Sequence, residues 1–210
     1  MLDAAACRGV SAVALGNAFG CGLVGVDYGV ANAAASRRRA GTDQVEFAAG
    51  DAERLQFADG RFDAAICECA FCTFPDNAAA AAEPATVLRP GGVLGLADLV
   101  RGWGPLPADV DDLLAWIGCI ADARPPEEYA VHLAASGLEV TAAEDHDEAP
   151  TDLVRAVRLR LRGARVAAHF RGLELHGGDL ARARELALAA ERAAAGGSLG
   201  YALVVAHRPC

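Results

Sequence analysis

The chain has 210 residues, 53% of them hydrophobic, and its 28 acidic against 19 basic side chains give a net charge of −9 and a pI near 5.0. That size and apolar content fit one sizeable α/β domain with a full core, while the acidic balance argues against nucleic-acid binding, which needs a basic patch to displace counterions. No apolar run approaches a membrane span, the start lacks the basic segment and apolar core of a signal peptide, and seven cysteines are an odd number in a chain too large to need disulfide staples, so reduced thiols in the cytosol are expected.

In chain order, Met1-Leu2-Asp3 leaves almost no room for a strand before the first loop. Ser11 to Phe19 reads as a short helix, and Leu23 to Asp27 as a strand with an acid at its tip. Asn32 to Ala40 is helical, its Arg37-Arg38-Arg39 run a solvated last turn favoured by the helix dipole. Val45 to Ala49 and Phe62 to Cys67 are apolar runs too short for helices, the pattern of strands buried in a parallel sheet. They stop at Gly50-Asp51-Ala52 and Cys67-Glu68-Cys69, and in open α/β sheets the ligand crevice lies beyond the carboxyl ends of the strands.

Asn77 to Leu88 is predicted as a helix that Pro84 kinks or stops early, because proline removes the hydrogen bond to Ala80. Arg89-Pro90-Gly91-Gly92 reads as a turn and Val93 to Leu99 as a buried strand. Val110, Leu113, Leu114, Ile117 and Ile120 space an amphipathic helix over Asp109 to Ala121, and Pro126 to Ser136 forms another, closed by Gly137. Leu138 to Glu144 is a strand, with His146 exposed in the acidic exit from it. Val154, Val157, Leu161, Ala164 and Ala168 mark one face of a long helix; its Arg155, Arg158, Arg162 and Arg165 stripe could greet an anion but reads most simply as a solvated face. Leu180 to Ala195 is the last helix and Leu199 to Ala206 the last strand.

The segment GDAERLQFADGRFDAAICECAFCTFPD at 50–76, followed by VLRPGGVLGLAD at 87–98, resembles the second half of a class I S-adenosylmethionine-dependent methyltransferase, of the ubiquinone/menaquinone and arsenite methyltransferase-like type. The order and spacing of G-D-A, F-D and L-R-P-G-G carry the likeness, which covers nearly the whole chain. It implies a Rossmann-like α/β fold with a seven-stranded, mostly parallel sheet, an antiparallel last strand and helices on both faces. One domain over 1–210 is expected, with a helical acceptor-side insertion at about 101–137.

The resemblance also implies S-adenosyl-L-methionine as cofactor and a small-molecule methyl acceptor, with no nucleic-acid or membrane partner. Leu2 to Gly9 takes the place of the family's L-D-x-G-x-G-x-G loop, whose glycines permit positive φ and close backbone approach. Only Gly9 is kept; Ala5 and Cys7 stand where the first two glycines belong. By the same likeness, Asp3 and Gly9 hold the methionine end, Asp27 the ribose with Tyr28 beside it, and Asp51 with the backbone of Ala52 the adenine edge. Cys67 and Glu68 are expected near the sulfonium. Taken alone, Asp27 is as readily a surface acid starting a turn as a ribose acceptor.

Cys69, Cys72 and Cys119 are candidate acceptor-binding thiols, because the arsenite-methylating subgroup places cysteines after the fourth strand and in the downstream insertion, and trivalent arsenic seeks thiolates. Against that, cysteine often merely packs, and the subgroup's cysteine just past the glycine loop is Ala12 here. The C-E-C-A-F-C run lacks the second pair a zinc site needs, so no metal is expected. Two alternatives stay open: a degenerate, non-catalytic nucleoside-binding domain, and a nicotinamide-dependent oxidoreductase, which shares the ribose acid but not the G-D-A element or an antiparallel last strand.

Overall fold

The computed structural model describes residues 1–40, 44–102, 122–146, 148–149, 151–152, 154–156, 159 and 177–210. Its strands are β1 (Leu2–Ala4), β2 (Leu23–Asp27), β3 (Val45–Ala49), β4 (Phe62–Glu68), β5 (Leu88–Arg101), β6 (Glu139–Asp145) and β7 (Leu199–His207). Among the described residues the helices are α1 (Val10–Phe19), α2 (Val30–Ala40), α3 (Asn77–Val87), α4 (Pro126–Ala135) and α5 (Gly177–Ala195), with a 3-10 turn at Phe71–Thr73. The strands form one sheet in the order β3-β2-β1-β4-β5-β7-β6.

Pairing is parallel from β3 through β2, β1 and β4 to β5. Strand β7 runs antiparallel: the Gly91 N–H donates to the Arg208 carbonyl at 2.8 Å and the Arg208 N–H to the Gly92 carbonyl at 2.9 Å, while Gly102 N–H meets the Ser198 carbonyl at 3.1 Å. Partner numbers fall as β5 numbers rise. This is the Rossmann-like sheet expected from the sequence.

By its contacts the chain divides into two compact units, the first comprising Met1–Asp98, Pro126–Glu144 and Leu203–Cys210. Within it, β1 is central and fully buried, with Leu2 and Ala4 in the core. The expectation that Met1-Leu2-Asp3 leaves no room for a strand is corrected: three residues suffice, because β1 takes ladder bonds from β2 on one side and β4 on the other. Ala12 of α1 and Ala40 of α2 pack with Leu23, Val45 and Phe47 of β2 and β3. Small residues on the helices allow that close approach.

Helix α3 does not stop at Pro84 but runs three residues past it to Val87. Its last turn is closed from outside, since Leu88 N–H donates to the Pro84 carbonyl and the Arg208 guanidinium to the carbonyls of Thr86 and Leu88. Asp76 caps the other end by accepting the Ala79 N–H at 3.0 Å. The Arg89–Gly92 turn proves to be part of β5: Leu88 lies opposite Phe62 and Val93 opposite Ala64, so residues 89–92 arch out of that ladder while still pairing with β7. Gly91 takes a φ of 74° there. The solvated-turn reading of Arg37 also changes, because its Nε donates to the Phe47 carbonyl at 2.7 Å.

The second unit comprises Leu99–Pro125 and Asp145–Ala202. Leu186, Ala187, Ala189, Ala190 and Ala193 of α5 are buried, and the helix closes at Gly197, φ 70°, with Ser198 N–H on the Ala193 carbonyl. Arg101 N–H donates to the Arg124 carbonyl at 2.9 Å. Arg155 pairs with Asp152 at 2.8 Å and Val154 is buried. The helix expected over 109–121 and most of the arginine stripe lie outside the described residues. Among those described, no helix is long and apolar enough to cross a membrane.

Candidate functional site

The strand order runs outward from β1 to β2 and β3, then returns to place β4 on the other side of β1. Such a reversal leaves a crevice above the carboxyl ends of the two central strands, where neighbouring connections diverge. A cleft of about 880 Å³ lies there, lined by the residues that follow β1, β2, β3 and β4.

The loop after β1 is held in a glycine-like conformation by residues that are not all glycine. Ala5, Cys7 and Gly9 have φ of 65°, 49° and 68°. A left-handed backbone costs a residue with a β-carbon about 1–2 kcal/mol, and here surrounding bonds hold it: Ala6 N–H on the Val26 carbonyl at 2.7 Å, Gly9 N–H on the Ala6 carbonyl at 2.7 Å, and Cys7 N–H on Asp27 Oδ2 at 2.8 Å. Gly9 cannot be replaced in the same way, because an added Cβ would lie 2.7 Å from Phe47 Cε1.

Asp27 thus works within the fold as well as facing the cleft. Its Oδ1 accepts the Gly29 N–H at 2.8 Å and Asn32 Nδ2 at 3.0 Å. Tyr28, next along, is 83% exposed, a flat aromatic face at the cleft wall. At the end of β3, Gly50 N–H donates to the Asp27 carbonyl at 3.0 Å and Asp51 Oδ1 accepts the Glu53 N–H at 2.9 Å. The Asp51 side chain thereby fixes its own turn.

Strand alternation decides which residues of β4 reach the cleft. Cys67 is buried in the core and Glu68 points out to the crevice. The Ser11 hydroxyl, in the first turn of α1, donates to Glu68 Oε2. Beneath them Asp3 is 2% exposed, and burial first, then the carboxylates of Glu68 and Asp27, raise its pKa from 3.8 to about 7. Five carboxylates line the cleft, Asp3, Asp27, Asp51, Glu53 and Glu68, against one arginine, Arg8.

Of the residues singled out from the sequence, Asp3, Ala5, Cys7, Asp27, Tyr28, Asp51, Ala52, Glu68 and Cys69 line this cleft together. Gly9 sits behind it against Phe47, Cys67 faces the core, and Cys72 is fully buried with its Sγ 3.5 Å from Asp98 Oδ1. Cys119 lies outside the described residues. Sequence reasoning missed Ser11, Glu53, Thr73 and Phe74 as lining residues. Ser11 had a readable signal, its place in the first helical turn after the loop. Among the described residues no cluster of histidine, cysteine and carboxylate side chains is arranged to hold a metal ion.

Residues 2–96 match the methyltransferase domain family. The chain is 30% identical over 169 residues to 27-O-demethylrifamycin SV methyltransferase of Amycolatopsis mediterranei, covering 80% of this chain and 60% of that enzyme. Residues 2–96 thus form a class I S-adenosylmethionine-dependent methyltransferase domain. Over 94 residues it is 39% identical to the demethylmenaquinone methyltransferase of Corynebacterium kroppenstedtii, 45% of this chain and 39% of that one. Among solved structures, the [4+2]-cyclase SpnF shares the methyltransferase fold with a TM-score of 0.80 over 99% of this chain and 74% of its own, at 23% identity.

Proposed function

We propose that this methyltransferase-family chain binds S-adenosyl-L-methionine in the cleft above β1 and β4 and methylates a small organic acceptor. The observation that carries the reading is the charge of the cleft, four carboxylates besides the buried Asp3, whose proton is held to about pH 7, against one arginine at the switch point of the sheet. S-adenosylmethionine has two cationic centres and one carboxylate, so such a lining attracts it, whereas the pyrophosphate of a nicotinamide dinucleotide would be repelled. The alternative of an oxidoreductase loses ground on that count.

Asp27 and Tyr28 suit a ribose and its base, Asp51 and the backbone of Ala52 the adenine edge, and Asp3, Glu68 and the loop from Ala5 to Gly9 the methionine end. The first turn of α1 offers its N–H groups to a carboxylate. When bound, the cofactor supplies an electrophilic methyl group. The protein's part would be to align donor and acceptor, with Asp3 and Glu68 helping to hold the cationic methionine end. The glycine-like backbone of Ala5 and Cys7 supports retained binding over a degenerate loop, since the conformation persists at a cost in strain.

The relatives' names describe organic acceptors, a demethylrifamycin and a demethylmenaquinone. A metalloid acceptor has less support: Cys69 lines the cleft, but Cys72 faces Asp98. The expectations of a single domain with an acceptor-side insertion at about 101–137 and of a cytosolic protein stay with this proposal. A shared fold does not fix a reaction, so the test is chemical. Radiolabelled methyl from S-adenosylmethionine should pass to at least one member of a panel of phenols and quinols. A panel that yields no labelled product, alongside arsenite that does, would move the acceptor to the thiol-seeking class.

A further inference from the structure

A buried carboxylate outside the cleft faces the turn that follows β4. Asp98, near the end of β5, is 1% exposed, yet its Oδ2 accepts the Cys72 N–H at 3.1 Å and its Oδ1 lies 3.5 Å from the Cys72 Sγ. Burying a carboxylate is costly unless its oxygens find donors, and both oxygens here meet one residue of the 3-10 turn that follows β4. Cys69 N–H donates to the carbonyl of Ala97, the residue beside Asp98, at 2.8 Å. Asn77 Nδ2 holds the Phe71 carbonyl at 2.7 Å from the other side, and the Phe71 ring packs edge-on against Tyr129, centroids 5.7 Å apart.

The residues flanking this anchored turn make one wall of the cleft: Cys69 and Ala70 before it, Thr73, Phe74 and Pro75 at its end and after it. Cys69 has a φ of 50°, a strained conformation that only a fixed neighbourhood maintains. We propose that Asp98 is the positioning residue for this wall, and that Cys72 is its partner in the fold rather than a ligand for the acceptor. The inference deepens the methyltransferase reading, because the wall stands beside Glu68, but the anchoring itself does not depend on that reading.

Residue-resolved amide hydrogen exchange on the full chain separates the two. In Asp98→Ala, and in the near-isosteric Asp98→Leu, which offers no acceptor, should the alanine variant not fold, the amides of Cys72 to Phe74 should exchange at least tenfold faster, those of β1 and β2 staying as in wild type. Binding of S-adenosylhomocysteine should weaken several-fold in the same variant. Cys72→Ser, which keeps a donor toward the intact Asp98, should retain wild-type exchange and binding. Unchanged exchange at Cys72, or acceleration spread evenly through β1 and β2, overturns the positioning role. Loss of arsenite-dependent methyl transfer in Cys72→Ser with exchange unaltered overturns the assignment of Cys72. Failure of wild type to bind S-adenosylhomocysteine would instead defeat the methyltransferase reading, and the exchange result would still decide the anchor.

Discussion

The two loops that wall the cleft are built on opposite plans. Residues 5–9, after β1, are tied by backbone hydrogen bonds and by one carboxylate reaching across from the adjacent strand, and the cost appears as strain at Ala5 and Cys7. Residues 69–75, after β4, are tied from beneath by a buried acid, an asparagine and an aromatic contact, and the cost lies in burying Asp98 as well as in the left-handed backbone of Cys69. The first loop can therefore be relaxed by substituting its own residues. The second is altered chiefly through partners in other elements.

Asp3 is buried beside the carboxylates of Glu68 and Asp27, and it gives the largest expected effect. Its pKa is about 7 in the folded chain against the ordinary 3.8 of an aspartate, so the folded state holds the proton more tightly. The associated stability is full below about pH 4 and is lost as pH rises through 7, by on the order of 4 kcal/mol at 1.4 kcal/mol per unit. Asp3→Asn removes that titration. Denaturant unfolding from pH 4 to 8 should show the variant gaining on wild type as pH rises, and parallel curves would mean that Asp3 is solvated.

Gly9→Ala tests how rigidly the first loop is seated. Left-handed strain and the collision with Phe47 together should cost about 3 kcal/mol in urea unfolding. A loss below about 1 kcal/mol would show that Phe47 swings aside and that the loop is looser than the comparison requires. Asp27→Ala removes the side-chain tie on Cys7 and the acceptor offered to a ribose. It should weaken S-adenosylhomocysteine binding by about 2 kcal/mol, the worth of a charge-assisted hydrogen bond. The smallest effect sharpens the contrast most: Ala5→Gly and Cys7→Gly should each stabilise the chain by up to about 1 kcal/mol and tighten binding, while Cys69→Gly tests whether the second loop stores strain in the same way. Destabilisation by the first two would mean that their β-carbons make contacts worth more than the strain.

How far each plan could be read from sequence follows from how local its parts are. Leu23–Asp27 and Val45–Ala49 were delimited correctly to the residue, because short apolar runs with polar stops leave few alternatives. The cleft was legible because Asp27 and Glu68 each end a strand and Asp51 lies in the loop beyond one. Strand β1 was underestimated, since three residues carry no periodic pattern and only the flanking strands make them a strand. The extent of α3 was misjudged because the groups closing its last turn come from Arg208, 121 residues beyond Val87. Asp98 went unremarked as a functional position because its partner lies 26 residues earlier and follows no motif.

The central claim is that an acid-lined switch-point cleft selects a sulfonium cofactor over an anionic dinucleotide. Calorimetric titration of the full chain with S-adenosylmethionine, S-adenosylhomocysteine and NAD, in wild type and in Asp27→Ala, tests it most directly. The account predicts saturable binding of the first two, none of NAD, and a loss of at least tenfold in the variant. Saturable NAD binding without response to S-adenosylhomocysteine, or affinity for S-adenosylhomocysteine unchanged in a folded Asp27→Ala variant, would contradict it.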